Sequence, residues 1–461
     1  MRAQPKGRSR GIALLAAPLA MAMIVAACAP GETGDPEAES DAETAAPEDT
    51  EEDTEDTDAE PAPEGTGATS LRVTVWTGNE AHLDMLNGIA DDFIAQHDTV
   101  EEVTFDTVPF DNYIESITVQ LAGGNPPDLG WILERNGPEF IEAGVLADVG
   151  DDLRADDEYD FADVEESALS LWQDGDAVYG YPFSTSPFAM FYNADMFEDA
   201  GQQTPDELLE AGEWTWDAAG DAATTIVDAG AASHGLIIRD FDFTLWDSLA
   251  GVWRGFGADA WSADGTECGM DSPEMVEAMT WFHDLTFSGE GHPRPGQSAD
   301  FFAGDSAMTV TQISRASLLE EDGFNWGLVP LPAGPAGDAQ VVGQAAIGVF
   351  SASQAIPEAI DFLKFWTNQE NSREMAQFFP PPRASLLTAE ILADTNPLLS
   401  EEQIQSVVID GIATGETIPS HANFAQLRDT IRSELDALWE PGADVEAVLS
   451  QACDAAEPLL N

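Results

Sequence analysis

Leu71, Val73 and Val75 alternate with Arg72 and Thr74 ahead of Trp76, a period of two that predicts a β-strand over residues 71–76. The period then changes: Leu83, Leu86, Ala90, Phe93 and Ile94 recur at helical spacing, so an amphipathic helix is expected to end near His97. A second strand is expected over 103–108, a second helix over 112–122 and, after the Gly-Gly-Asn-Pro-Pro turn, a third strand over 128–133. Strands separated by helices imply an α/β fold with a parallel sheet. In such sheets ligands lie beyond the carboxyl ends of the strands, which directs attention to residues 76–80 and 131–136.

Upstream the pattern is different. Arg2, Lys6, Arg8 and Arg10 precede an apolar run over 11–27 that ends Val25-Ala26-Ala27-Cys28. This is the layout of an export signal, and the stretch resembles that of a bacterial lipoprotein, in which the Cys28 thiol would be acylated and the mature chain would begin there, outside the cytoplasm. An uncleaved membrane helix is the other reading of the run, but a small-small-Cys ending has no purpose in a plain anchor. Residues 28–70 hold sixteen carboxylates and no aromatic, Lys or Arg. Such a segment buries no core, and an extended, disordered tether is expected.

Charge narrows the partners. The chain has 87 acidic and 16 basic residues, a net charge of −71. Without the leader and the tether, 71 acidic residues still face 12 basic ones. Such a surface repels nucleic acid and anionic headgroups, and with Lys364 as the one lysine beyond the leader it looks like an adaptation to high salt. With 43% hydrophobic residues, 12 Trp and 23 Phe, the roughly 390 residues after the tether are enough for a large core and two lobes. Cys268 and Cys453 remain once Cys28 is assigned to lipid. An oxidising exterior permits them to pair, closing a loop worth roughly 4 to 5 kcal/mol on the chain-entropy model; two buried free thiols are the other reading.

Several dispersed motifs then fall in a known order. They are Gly123-Gly124-Asn125-Pro126-Pro127-Asp128, Gly180-Tyr181-Pro182-Phe183, Phe191-Tyr192-Asn193 with Phe197, Thr215-Trp216-Asp217, Phe302-Ala303-Gly304-Asp305 and Ala359-Ile360-Asp361-Phe362. The ordered set resembles the carbohydrate-type extracellular solute-binding lipoproteins of ABC importers, the maltose-binding-protein-like family, over about residues 71–460. The resemblance implies a two-lobe periplasmic-binding-protein fold (type II), each lobe a mostly parallel sheet flanked by helices. Residues 71–185 and 327–352 would form the N-terminal lobe and 186–326 and 353–461 the C-terminal lobe. Hinge crossovers would lie near 184–188, 326–332 and 351–355. The implied function is capture of a sugar between closing lobes and delivery to the membrane permease subunits of the importer. The protein would act as a monomer held to the outer face of the membrane by its lipid alone, with no enzyme activity and no cofactor.

Sugar recognition needs flat apolar faces for the C–H side of the ring and planar hydrogen-bonding side chains for its hydroxyls. Trp76 and Trp131 close the two early strands, and Trp246 and Trp253 fall where the family places ligand contacts. Asn79, Glu80, Asp128, Arg135, Gln312, Gln344 and Arg383 each follow a strand or a turn and are expected as polar contacts. Asp128 serves equally to fix its turn, and Arg383 to pair with a carboxylate. Residues 311–314 lack the aromatic that the maltose-binding protein carries in its sugar site, so maltodextrin specificity does not carry over.

Other chemistry finds little support. Gly-x-Ser-x-Gly and His-Glu-x-x-His are absent, the six histidines are scattered without ligand spacing, and Gly251, Gly255 and Gly257 lack the Lys and Ser/Thr of a phosphate loop. The alternatives left open are a cationic solute such as a polyamine, favoured by the acidity, and a secreted carbohydrate-active enzyme using a pair of carboxyls.

Overall fold

The computed structural model describes residues 68–460 apart from 240, 320–322 and 397. The signal, Cys28 and almost all of the tether lie outside the described residues. Among those described, no helix is long and apolar enough to cross a membrane.

The chain opens as expected, with β1 (Thr69–Val75), α1 (Glu80–Gln96), β2 (Val100–Thr107), α2 (Tyr113–Ala122) and β3 (Leu129–Leu133). β1 begins two residues inside the segment expected as tether. It pairs parallel with β2 and with β3. Its apolar set, Leu71, Val73 and Val75, is fully buried, and Asn79 caps α1 by accepting the amides of Ala81 and His82.

The next strand determines the architecture. β4 (Tyr181–Asn193) is thirteen residues long and buried throughout. Its first half pairs antiparallel with a later strand, and Pro187 ends that pairing; Phe188 begins a new one. A proline has no amide to give a ladder, so it sits where the strand changes partners. Beyond it come β5 (His234–Ile238), β6 (Ser306–Gln312), β7 (Trp326–Val329) and β8 (Val341–Val349). The sheet order is β2-β1-β3-β8-β4-β6-β5, with β7 also on β4. Parallel pairs stand on either side, β1 with its neighbours in one lobe and β5 with β6 in the other, and the antiparallel ladders belong to the strands that link them.

Three apolar clusters follow from this order. One gathers Leu71, Phe93, Trp131, Phe183, Ile347 and Phe362 and defines the first lobe. The period of two along the second half of β4 splits the rest: Met190 and Tyr192 face a cluster with Trp216, Leu236 and Phe282, whereas Ala189 and Phe191 face one with Phe301, Leu328 and Leu392.

Two expected boundaries shift on this packing. β7 pairs with Met190 to Asn193, so the return to the first lobe falls after β7 and not at 327. Helix α3 (Ile356–Trp366) buries Ala359, Phe362, Leu363 and Trp366 in the first core, with Met375 and Phe379 after it. The last crossing therefore follows Phe379, and 351–355 is no crossing. An α/β lobe needs a helix over its sheet, and the amphipathic 356–366 segment supplies one beside α1. Cys268 and Cys453 form a disulfide across 185 residues of sequence within the second lobe.

Candidate functional site

A cleft of about 350 Å³ lies where β4 passes between the lobes, with Trp76, Trp131 and Phe183 on one side and Ser248, Gln312 and Ser314 on the other. The aromatic side is built from the carboxyl ends of β1 and β3. Trp131 stacks on Phe183 with ring centroids 4.9 Å apart, and Trp76 meets Trp131 edge-on at 4.9 Å, Tyr113 at 5.1 Å and Phe110 at 6.0 Å. Trp131 is almost fully buried, so Trp76, half-buried, is the ring with a face to offer.

Beside it, His82 is held by a short relay. The Asn79 amide donates to the Thr77 hydroxyl oxygen at 3.2 Å, and that hydroxyl lies 3.0 Å from His82 Nδ1. Burial lowers the imidazole pKa to about 4, so the ring is neutral at physiological pH. A Thr77 hydroxyl donated to Nδ1 leaves the proton on Nε2, which is buried without a hydrogen-bond partner among the described residues, while the residue as a whole contributes to the lining of the cleft.

The floor joins the lobes. Arg135, in the turn after β3, reaches Asp247 of the second lobe at 2.6 Å, with side chains 10% and 0% exposed. Its neighbour Glu134 accepts the Gln344 amide at 3.1 Å. Gln344 spends its side chain on Trp172 Nε1, the Ala168 carbonyl and the Thr185 hydroxyl, and so positions the floor. A second link runs from Glu139 to the Ala425 amide, with Arg428 nearby.

Burial pushes the Glu134 carboxyl up to about 7 against the pull of Arg135. The folded chain thus keeps this proton over a range in which the unfolded chain has lost it. Stability falls as pH rises from about 4.5 to about 7, and the loss, about 3 kcal/mol, is complete above that. Glu134→Gln, neutral at every pH, is therefore expected to raise the melting temperature at pH 8 and to change it little near pH 4. An equal change at both values would show that the carboxyl is charged throughout.

Of the expected contacts, Trp76, Asn79, Trp131, Arg135, Gln312 and Gln344 line this cleft. The others are corrected. Glu80 is exposed in the first turn of α1, where it complements the helix N-terminus. Asp128 fixes its turn, accepting the Arg72 amide at 2.8 Å and the Ser353 hydroxyl. Trp246 and Trp253 pack in the second-lobe core, Trp246 donating to the Arg428 carbonyl. Arg383 is fully buried in the first lobe. His82, Glu134, Arg239, Ser248 and Arg315 line the cleft without having been expected. The rule that found Trp76 would have found Arg239, which directly follows β5. An adjoining cavity of about 360 Å³ shares Phe110 and Arg239 with the cleft. Its rim carries Asp242 and Phe243 at φ 37° and 65°, a strained pair of the kind that marks functional loops.

Known proteins share this fold. The fold matches the ABC substrate-binding protein Lmo0181 of Listeria monocytogenes, solved with cycloalternan, at a TM-score of 0.74 and 23% identity over 85% of this chain and 99% of that one. A Thermotoga lettingae ABC transporter solute-binding protein bound with α-D-tagatose gives 0.73 at 18% identity, over 86% and 100%. In sequence, a Brucella abortus protein named as a binding protein is 26% identical over 51% of this chain and 56% of its own length, so the match spans about half of that relative. The sn-glycerol-3-phosphate-binding periplasmic protein UgpB of Escherichia coli is 22% identical over 86% of this chain and 94% of its own. Residues 88–398 match the model of one family, and with two thirds of its length so matched the chain belongs to the bacterial extracellular solute-binding proteins.

Proposed function

We propose that this protein is the lipid-anchored, extracytoplasmic receptor of an ABC importer, and that it encloses a sugar-like solute between its lobes and passes it unchanged to the permease. One observation carries the reading: an aromatic wall from one lobe faces a hydroxyl- and amide-bearing wall from the other, across strands that link the two. Trp76 suits the C–H face of a ring, and Gln312 and the serines suit its hydroxyls. The solutes named for the Listeria, Thermotoga and Escherichia proteins, a cyclic oligosaccharide, a ketose and a polyol phosphate, are all polyhydroxylated. A solute touching both walls favours the closed arrangement over the open one, and that difference in affinity is what drives closure. Cys28 and the acidic segment after it would tether the lobes within reach of the permease.

A thermal-shift screen of sugars and polyamines in molar salt tests this. A bound sugar at a hundred times its Kd should stabilise the fold by about 2.7 kcal/mol, and Trp76→Ala should abolish most of that shift. Shifts with amines and none with sugars would replace the substrate class, and release of cleaved sugar would replace the function.

A further inference from the structure

Among the described residues, the lining of the cleft reverses the charge of the molecule around it. Of those 25 lining residues one is acidic, Glu134, and three are arginines. The whole chain holds 87 acidic residues against 16 basic ones, four of the latter in the leader. A lining drawn evenly from the folded part would carry several carboxylates and about one cation, so the described lining is short of the one and enriched in the other. All three arginines interact within the protein, Arg135 with Asp247 across the floor. Arg239 and Arg315 both stand on the second-lobe wall, one directly after β5 and the other three residues after β6, at the carboxyl edge of two neighbouring parallel strands. Ser314 and Ser317 line the same wall.

We propose that the cleft selects a sugar-sized solute bearing a phosphate or carboxylate, held by Arg239 and Arg315 while Trp76 covers the ring. This rests on the solute-capture reading above and names its substrate class. Guanidinium groups bind such oxyanions with paired, charge-assisted hydrogen bonds, about twice as strong as neutral ones. Arg239 also pairs with Asp300 at 3.3 Å, but that carboxylate is half exposed, and solvent-exposed rim pairs of this kind contribute little, so a bound oxyanion can take its place. Glu134 offers little opposition, because burial keeps it largely protonated up to about pH 7. The acidic exterior would repel an anion in dilute buffer. At molar salt the screening length shrinks to about 3 Å, which silences the distant carboxylates and spares the contact pair.

Titration calorimetry of the full chain at 2 M KCl, with glucose, glucose 1-phosphate and glucuronate as probes, decides the matter. At least one of the two anions is expected to bind a hundredfold or more tighter than glucose, and which one it is separates phosphate from carboxylate. Arg239→Gln and Arg315→Gln should each cut that ratio tenfold or more, with Arg315→Lys intermediate. Unliganded melting curves identify any variant that fails to fold, and the comparison of probes on the unaltered chain stands without them. Glucose binding as tightly as both anions would overturn the inference and leave sugar capture intact. If these probes and a panel of neutral oligosaccharides all fail to bind, the reading of function falls with it.

Discussion

Asp247→Asn is expected to weaken solute binding roughly a hundredfold while leaving the unliganded melting temperature nearly unchanged. The Asp247 carboxylate is wholly buried, yet its 2.6 Å partner Arg135 belongs to the other lobe. Inside one lobe such a pair would add to folding stability. Between lobes that part about the linking strands, the pair would form only on closure and both groups would return to water on opening. Removing one member of a buried pair costs about 3 to 5 kcal/mol, because the remaining charge stays desolvated without its counterpart. Losing the Asp247 charge also removes one of the causes that hold the buried Glu134 carboxyl up, so Glu134 can ionise beside Arg135 in its place and the lower end applies. A loss of about 3 kcal/mol from the closed state alone is a factor of about 150 in Kd. The variant should also populate the open form, enlarging the radius of gyration in solution scattering with solute present. A Kd within threefold of the parent would mean that the pair does not form on closure.

The same pair shows how far the sequence could be read. Arg135 was accessible because it follows an apolar strand, and ligands in α/β folds gather at strand ends. Its partner was not, since Asp247 lies 112 residues on, in a helical turn that begins at Trp246. Period and turn signals place residues along an element but do not say which distant element meets them. Trp246 and Trp253 illustrate the same limit: an indole suits a core as well as a cleft, and only the packing of Trp246 against Trp253, with Arg428 beyond, decides for the core. The first five elements, by contrast, were legible to within three residues at their ends. Local periodicity is strong there, and β1, buried on its Leu71, Val73 and Val75 face, obeys it. The lobe boundaries were legible only in part. The helix over 356–366 reads equally well on either lobe, and its contacts with α1 and the first core are long-range facts.

Arg383 is the instance with the largest consequence. From its place after Pro380-Pro381-Pro382 it was expected in the cleft, whereas the folded chain buries it completely. Its guanidinium donates to the carbonyl oxygens of Tyr159 at 3.1 Å, Asp160 at 3.0 Å and Thr367 at 2.9 Å, lies 4.8 Å from the Tyr159 ring centroid and is 3.7 Å from Asp163. These contacts join the loop at 159–163 to the end of α3, segments some 200 residues apart in sequence. Arg383→Met would keep the volume but take from the Tyr159 carbonyl its donor, while the Asp160 and Thr367 carbonyls and the Asp163 carboxylate would each lose one donor and keep another, from Asp163, Ser372 and Ser385. At about 1 to 3 kcal/mol for a buried group left unsatisfied and less for the rest, the loss is about 3 kcal/mol, a large share of the 5 to 15 kcal/mol that typically separates folded from unfolded chains. Arg383→Lys, with a single ammonium that cannot span three acceptors, should fall between. Urea denaturation midpoints should therefore drop in the order Arg, Lys, Met, while the solute Kd of whatever remains folded at low temperature matches that of the parent. The reverse result, intact stability with lost affinity, would return Arg383 to the binding site and remove the account of the first lobe given by its packing.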